Sequence, residues 1–284
     1  MSRALALART FLFVPADRPE RYARALATGA GGVIVDLEDA VAPDAKVSAR
    51  TQLAQGLAAL PAEDRRRMLV RVNACGTPWH EEDRALMATL AAQGLAAVML
   101  PKAERVQDVA AMAAAIGVDG VVVPLIESAA GLAALDAIAA APQVLRLAFG
   151  HLDFQADLGM ACDAQEAELA PVRLAIVLAS RRAGLAAPID GVSPDWRDLE
   201  RLESDSRRAR RGGFGAKLCI HPTQVAPVHA ALGPTNEEVA WAHRVREAAQ
   251  GARGGVVSVD GKMIDAPIVK LAERLIALAA QPFL

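Results

Sequence analysis

The stretch GVVVPLIESAAGL, residues 120–132, decides the fold class of this chain. An uninterrupted apolar run ends in Glu127, and an alanine-rich stretch typical of a helix follows at once. A strand that is apolar throughout, without alternation, is buried on both faces, which is typical of a parallel sheet covered by helices. Residues 120–132 therefore predict a strand with one carboxylate at its C-terminal end, followed by a returning helix.

The same strand–helix unit repeats along most of the chain. Between residues 9 and 233 we count eight such units, whose strands read TFLFVP, GGVIVDLED, MLVRVNA, AAVMLPK, GVVVPLIES, LRLAFG, AAPIDGV and AKLCIHP. Eight units of this length predict an α/β fold, a (β/α)8 TIM barrel, over residues 9–233. A doubly wound sheet is the alternative, but no G-x-G-x-x-G follows the first strand, which weakens its dinucleotide-binding form.

Residues 234–284 follow the eighth unit and form a C-terminal tail. TNEEVAWAHRVREAAQ predicts a helix, GGVVSVDGKMID an extended segment with a turn at Asp260-Gly261, and APIVKLAERLIALAA an amphipathic helix. This segment is too short to be a domain of its own. We expect it to pack on a neighbouring subunit, with its own barrel as the alternative surface.

Composition excludes several classes of protein. The chain of 284 residues has a formal net charge of -2 and a pI near 6.2, whereas nucleic-acid-binding surfaces are normally basic. No apolar run reaches 18 residues without a charge or a helix breaker, so no membrane span is expected. The three cysteines are far apart and form no CxxC, which favours a cytoplasmic protein over a disulfide-bonded one.

Polar side chains stand at the C-terminal ends of the predicted strands, where TIM barrels carry their active sites. The structural alternative would scatter such groups over both rims and the helices. The residues, from strand 2 to strand 8, are Asp36, Glu38, Asp39, Arg71, Asn73, Lys102, Glu127, Asp153, Asp190 and His221.

Glu127 and Asp153 are expected to converge from adjacent strands. Two neighbouring carboxylates repel each other unless a cation or a shared proton relieves them. Two carboxylates with several waters are a common Mg²⁺ site, and the lack of close His or Cys partners disfavours zinc. His151 is a weaker candidate ligand. We predict that Glu127 and Asp153 bind Mg²⁺, with Mn²⁺ as a substitute; the alternative is that both acids cap helices.

Arg71 lies between apolar residues, and a buried cation is costly unless it is paired. It either pairs with Asp36 or grips a carboxylate or enolate oxygen of a substrate, and we favour the second. Asp36, Glu38 and Asp39 either order the waters around the metal or serve as turn caps and arginine partners. Main-chain N–H groups of Gly150, His151 and Leu152 are expected to bind a substrate carboxylate.

Several stretches together resemble one family. RTFLFVPAD, VDLEDAVAPDAK, RVNACGTPW, PKAE, PLIESAAGL, GHLDF, GFGAKLCIHPTQ and GKMIDAPIVKLA, in this order, are similar to the citrate lyase β-chain-like proteins of the HpcH/HpaI aldolase superfamily. These are related to malyl-CoA, citramalyl-CoA and citryl-CoA lyases. The resemblance runs from about residue 9 to about residue 275. Pro15-Ala16 stands where the family usually has Pro-Gly, near the loop that binds the thioester.

The resemblance implies a TIM barrel that binds Mg²⁺ through Glu127 and Asp153. It implies reversible carbon–carbon cleavage of a β-hydroxyacyl thioester, of the citryl-, malyl- or citramalyl-CoA type, into an acyl thioester and an α-keto acid. Arg71 matches the family's substrate arginine. Asp265 matches an acid offered to the active site of a neighbouring subunit, which implies a homo-oligomer, a trimer or a hexamer. The following Ala266-Pro267 also suits Asp265 as a helix cap.

Two alternatives to a free-standing acyl-CoA lyase stay open. In the first, the chain is a citrate lyase β subunit whose thioester substrate is carried by a carrier protein within a complex. In the second, it is a hydrolase of malyl- or citryl-type thioesters with the same fold.

Overall fold

Eight parallel strands close into a barrel in chain order, so the predicted TIM barrel is confirmed. The computed structural model describes residues 2–95, 97–251 and 257–280. The barrel strands are β1 (Thr10–Pro15), β2 (Gly32–Asp36), β3 (Met68–Arg71), β4 (Ala97–Leu100), β5 (Val121–Ile126), β6 (Ala148–Phe149), β7 (Ile189–Asp190) and β8 (Ala216–Cys219).

Helices surround the barrel and continue into the tail. They are α1 (Ser2–Leu7), α2 (Tyr22–Ala27), α3 (Lys46–Ala58), α4 (Ala62–Arg65), α5 (His80–Ala92), α6 (Val106–Ile116), α7 (Ala129–Ala133), α8 (Leu135–Ala139), α9 (His151–Leu158), α10 (Ala170–Arg182), α11 (Leu199–Arg211), α12 (Val225–Leu232), α13 (Asn236–Gly251) and α14 (Ala266–Ala279).

The apolar strands separate two hydrophobic cores. Residues such as Ile34, Met99 and Leu125 point into the barrel, while their neighbours along the strands, such as Val35 and Val98, pack against the helices. Both sets are almost fully buried. This two-sided burial is the reason why the strand sequences are continuously apolar.

The N-terminal end of the barrel is closed by α1, which the sequence pattern did not indicate. Leu5 is fully buried and belongs to the core inside the barrel together with Phe11. The guanidinium of Arg146 donates hydrogen bonds to the main-chain oxygens of Leu5 (3.0 Å) and Ala8 (2.9 Å). These contacts close the N-terminal end of the barrel, called the lower end below. A substrate cavity is therefore expected at the C-terminal ends of the strands.

The prediction that Asp153 ends strand 6 was wrong in its local structure. Strand β6 stops at Phe149; the N–H of Gly150 still bonds the carbonyl of Ile126 in β5 (2.9 Å), and the chain then coils into α9 from His151. Asp153 lies in the first turn of this helix. The side chain still points from the same rim of the barrel, because α9 starts immediately above β6.

The tail forms a small unit with its own core. Helices α13 and α14 pack on a hairpin of β9 (Val257–Val259) and β10 (Lys262–Ile264), as predicted for the turn at Asp260-Gly261. Both turn residues have positive φ, 51° and 76°, which matches the twist of a two-residue hairpin. Residues 252–256 and 281–284 of the predicted tail lie outside the described residues. Within the described ranges, no helix combines the length and apolarity that a membrane span requires.

Tail and barrel meet at the lower end of the barrel. The Arg9 guanidinium, just before β1, donates a hydrogen bond to the carbonyl of Leu278 in α14 (2.6 Å). The tail therefore contacts the barrel at the N-terminal ends of the strands, on the side opposite to the cavity. Packing of the tail on a neighbouring subunit stays a prediction.

Candidate active site

A cavity of about 400 Å³ opens at the C-terminal ends of the barrel strands. Of the residues predicted for the site, it is lined by Asp36, Asp39, Arg71, Glu127, Gly150, His151, Leu152 and Asp153. The remaining wall is largely apolar and comes from Phe13, Pro15, Ala40, Leu125, Phe149, Val192, Leu218 and Ile220. The barrel thus brings together predicted site residues that are up to 117 positions apart in the sequence, from Asp36 to Asp153.

Arg71 and three acids form one charged cluster at the ends of β2 and β3. The guanidinium makes a bidentate pair with Asp36, with Nε–Oδ1 at 2.7 Å and Nη2–Oδ2 at 2.6 Å. Its Nη1 lies 2.8 Å from Glu38 and 3.3 Å from Asp39. The pairing of Arg71 with Asp36, considered from the sequence as an alternative, is therefore present in the structure.

Burial and the neighbouring charges in this cluster shift the pKa values of Arg71 and Glu38. Burial disfavours the charged form of Arg71, but attraction by Asp36 and a hydrogen bond with it raise its pKa. Burial raises the pKa of Glu38 to about 7, against the lowering effect of Arg71 and helped by Asp39 and Asp36. The loop that carries the acids is fixed by Lys46, whose Nζ donates to the carbonyl oxygen of Glu38 (2.6 Å).

Glu127 follows β5 and is 4% exposed. Its Oε1 accepts the main-chain N–H of Lys102 (2.7 Å), which has a left-handed backbone conformation with φ 45°. Burial, together with the nearby charges of Glu38 and Asp153, raises the pKa of Glu127 to about 8. The carboxylate is thus held in place by one hydrogen bond while its charge is destabilised by its surroundings.

Gly150 leaves the space that Glu127 occupies. A Cβ atom at Gly150 would lie 2.4 Å from Oε2 and 2.7 Å from Cβ of Glu127. A side chain of any kind at this position would therefore displace Glu127. Gly150 also places the start of α9, and hence Asp153, next to the carboxylate of Glu127.

His151 lines the cavity but is only 2% exposed, and it lies beside a charged network that the sequence did not reveal. The ring lies over Gly191, where a Cβ atom would be 2.0 Å from Nδ1. Its Nε2 is 3.5 Å from Glu166, which also pairs with Arg173 and with Arg208. Burial lowers the pKa of His151. No simple spacing marks Glu166, since it follows α9 by a loop and has a left-handed conformation.

Other predicted rim residues have structural partners. Asp190 is fully buried and pairs with Arg173 (3.1 Å). Asn73 donates a hydrogen bond to Asp83 (2.7 Å). His221 stacks on Trp196, with ring centroids 4.1 Å apart. None of these side chains is among the described residues that line the cavity.

Asp265 caps the tail helix α14, with Oδ1 accepting the N–H of Ile268 (3.2 Å). It is exposed. Among the described residues that line the cavity, none comes from the tail. Asp265 therefore acts as a cap within its own chain and does not reach its own barrel's cavity.

The donors in the cavity suit a hard cation with an incomplete protein shell. In the described part of the chain, no group of three or more His, Cys, Asp or Glu side chains could enclose a metal. Glu127, which is buried, and Asp153, which is exposed, both line the cavity with carboxylate side chains. Mg²⁺ usually keeps several waters and takes one or two carboxylates plus substrate oxygens, so this pair fits it.

Comparison with known proteins gives the family. Residues 9–222 match the family model described as HpcH/HpaI aldolase/citrate lyase. The chain belongs to this family. Among curated relatives, the citrate lyase subunit beta-like protein of Mycobacterium tuberculosis is 37% identical over 276 residues, 95% of each chain.

Two further relatives come from Cereibacter sphaeroides. An L-malyl-CoA/beta-methylmalyl-CoA lyase is 31% identical over 301 residues, and a (3S)-malyl-CoA thioesterase is 32% identical over 281 residues; both alignments cover 95% of this chain and 94% of the relative. The crystal structure of CitE from M. tuberculosis with magnesium, acetoacetate and coenzyme A is 36% identical, covers 97% of this chain and 100% of that one, and has a TM-score of 0.84. The family and these relatives identify the chain as a lyase.

Proposed function

We propose that this enzyme is a Mg²⁺-dependent carbon–carbon lyase. It cleaves, reversibly, a β-hydroxyacyl-CoA of the malyl-, citramalyl- or citryl-CoA type into an acyl-CoA and an α-keto acid. The observation that carries this proposal is that Glu127 and Asp153 line the same cavity as Arg71. The CitE structure that resembles this chain contains magnesium and coenzyme A, which supports the same cofactor and thioester here.

Glu127 and Asp153 would hold the metal. When bound, Mg²⁺ would polarise the oxygen on the carbon that becomes the keto group and neutralise the adjacent carboxylate. Burial of Glu127 keeps it in one position, because Lys102 N–H fixes Oε1 and Gly150 leaves room for Oε2. The main-chain N–H groups at the start of α9, of Gly150, His151 and Leu152, would bind the substrate carboxylate.

Arg71 would stabilise the negative charge that develops on the thioester oxygen. When the carbon–carbon bond breaks, its electron pair passes to the thioester fragment, which becomes an enolate, and the β-hydroxyl group loses its proton to solvent as its oxygen becomes the keto oxygen. The guanidinium is fixed in orientation by the bidentate pair with Asp36, and its Nη1 lies 2.8 Å from Glu38 and 3.3 Å from the exposed Asp39, so the substrate oxygen would share or replace these contacts. One well-placed donor of this kind typically contributes about 3 kcal/mol to the transition state.

The proton for the enolate carbon would come from Asp265 of a neighbouring subunit. Asp265 is exposed, lies outside the lining of its own cavity, and is held by its capping bond at the start of α14. A homo-oligomer, a trimer or hexamer, would bring the tail of one chain over the barrel of the next, and symmetry would repeat the contact at every site.

A thioester hydrolase is the second candidate, because a relative with similar coverage is a (3S)-malyl-CoA thioesterase. A carrier-protein thioester in a citrate lyase complex is the third. The test is to incubate the purified chain alone with Mg²⁺ and citramalyl-CoA or malyl-CoA. We expect turnover without any partner protein, abolished by EDTA and restored by Mg²⁺.

Two variants link that turnover to the carboxylate pair. Glu127→Gln and Asp153→Asn keep the shape of each side chain, and we expect both to fold and to lose Mg²⁺ binding in calorimetry together with activity. Asp157→Asn, an acid on the same helix that is outside the cavity lining, is the matched control. Unchanged Mg²⁺ affinity in both site variants would contradict the assignment.

A further inference from the structure

A second cavity, of about 520 Å³, lies between the lower end of the barrel and the tail. It is lined from the barrel by Arg9, just before β1, and by His229 of α12, and from the tail by Leu278 of α14. We call it the lower cavity. Among the described residues, none lines both this cavity and the one at the C-terminal ends of the strands. Its volume lies within the range of small-molecule sites, about 300–1,000 Å³.

The guanidinium of Arg9 lies at the wall of the lower cavity. Its Nη2 donates a hydrogen bond to the carbonyl oxygen of Leu278 (2.6 Å), and its Nη1 lies 3.3 Å from Nε2 of His229. A Cβ atom on Gly233 would lie 3.1 Å from Nη1. All three of these neighbours line the cavity, so the charged end of Arg9, and not only its aliphatic stem, belongs to the wall.

The positive charge of Arg9 has no acidic partner among the described residues. Arg9 is only 9% exposed, and its charged neighbour is another cation, Arg210, which itself pairs with Glu238 (2.9 Å). Burial and the like charge of Arg210 lower the pKa of Arg9. Because a guanidinium can only donate, Nε2 of His229 accepts and the imidazole is neutral, in agreement with a pKa that burial and Arg9 lower to about 4. A buried cation without an acid is costly, so the cavity favours an anion.

The guanidinium also has donors to spare. Arginine carries five side-chain N–H groups in a planar fork. Within the described part of the chain, the contacts of Arg9 with His229 and Leu278 use two of them. The remaining N–H groups can bind an anion without breaking either contact.

The rest of the wall is mainly apolar. It consists of Ala230 of α12, Pro234 of the connecting loop, Val239 of α13 and Ala279 of α14, with the exposed polar residues Thr235 and Asn236 completing the lining. Among the described lining residues, Arg9 is therefore the one charged side chain. A single guanidinium matches the single charge and planar shape of a carboxylate, whereas a phosphate dianion would keep an excess charge beside apolar groups.

We propose that the lower cavity is a binding site for a small aliphatic monocarboxylate. Its carboxylate pairs with Arg9, and its hydrocarbon part packs on the apolar side chains of α13 and α14. The site is separate from the active site and does not depend on the proposed function. Because Arg9 belongs to the barrel while Val239 and Leu278 belong to the tail, the bound ligand fastens the tail to the barrel and stabilises the folded chain.

The experiment titrates the full chain with hexanoate in isothermal titration calorimetry and follows thermal unfolding in parallel. EDTA is present, so that a carboxylate cannot bind through Mg²⁺ in the active-site cavity. Hexanamide has the same shape without the charge, and inorganic phosphate has charge without an apolar part. We expect saturable binding of one hexanoate per chain, at least about tenfold tighter than either control, and a higher Tm. No saturable binding of hexanoate, or equal binding of hexanamide or phosphate, would overturn the proposal.

Variants locate the binding. Arg9→Met removes the charge, and we expect it to weaken hexanoate binding at least about tenfold. Because Arg9 also bonds the carbonyl of Leu278, a second pair of variants leaves Arg9 in place. Val239→Glu adds a carboxylate to the wall of the same cavity, and Val239→Gln is its neutral counterpart of equal size. We expect hexanoate to bind Val239→Glu at least about tenfold more weakly than Val239→Gln. Equal affinity for the two folded variants would show that hexanoate does not bind in the lower cavity and would overturn the proposal.

Discussion

Replacing Gly150 with alanine tests the geometry of the carboxylate pair without removing either acid. The added Cβ would lie 2.4 Å from Oε2 and 2.7 Å from Cβ of Glu127, whereas carbon atoms in van der Waals contact are about 3.5–4.0 Å apart. Rotation of the carboxylate alone relieves only the first of these contacts. The whole Glu127 side chain, or the start of α9, must therefore move by about 1 Å.

A displacement of this size changes the position of the Glu127 carboxylate relative to that of Asp153, which lines the same cavity. Changes to groups that orient metal ligands typically cost about 10- to 100-fold in metal affinity, or about 1.4–2.7 kcal/mol. We expect Gly150→Ala to weaken Mg²⁺ binding in isothermal titration calorimetry by a factor in this range, and to lower kcat/KM at least as much.

Gly212→Ala is the matched control, because the nearest atoms to a Cβ there are main-chain oxygens at 3.4 and 3.5 Å and φ is −76°. It should bind Mg²⁺ like the parent. If Gly150→Ala keeps the parent's Mg²⁺ affinity within twofold while circular dichroism shows an intact fold, Glu127 does not bind the metal from the position described.

Four further outcomes are expected from the site. Because the metal must displace a proton from Glu127, whose pKa burial raises to about 8, apparent Mg²⁺ affinity should rise with pH up to about 8 and then level off. By the same shift, the metal-free protein should lose free energy of unfolding as pH rises from the ordinary carboxyl value of 4.5 to about 8, and a chemical denaturation series that shows no such loss would contradict the shift. Arg71→Lys should lower kcat by more than about tenfold, since one ammonium cannot replace the bidentate pair with Asp36; steady-state kinetics within about threefold of the parent would make Arg71 structural. Mixing inactive Asp265→Asn with inactive Glu127→Ala subunits should restore part of the activity, and mixed oligomers that stay inactive would refute a contribution in trans.

The fold could be predicted from the sequence because strands that are buried on both faces have continuously apolar sequences. Continuous apolar runs such as residues 121–126 are required when one set of side chains fills the barrel and the other packs on helices. Helix α1 was missed, because it is only six residues long and the burial of Leu5 depends on the core inside the barrel, to which Phe11 also belongs.

The site could be predicted only as far as the strand ends fix it. Glu127 directly follows the continuous apolar strand β5, so its location at the C-terminal end of the barrel could be predicted from its position in the sequence. Asp153 was placed in the correct cavity, but no local pattern shows that β6 ends at Phe149 and that α9 begins at His151. Glu166 was missed for a similar reason, since its contact with His151 joins two segments across a loop.

The most direct test of the central claim is a product balance on citramalyl-CoA or malyl-CoA with saturating Mg²⁺. Free thiol, acetyl-CoA and keto acid are measured in the same reaction as substrate disappears. Carbon–carbon cleavage predicts one acetyl-CoA and one keto acid for each thioester consumed, with no free thiol released in the same period. Stoichiometric free CoA with an intact hydroxy diacid and no keto acid would show hydrolysis instead, and would contradict the assignment of the site to carbon–carbon cleavage.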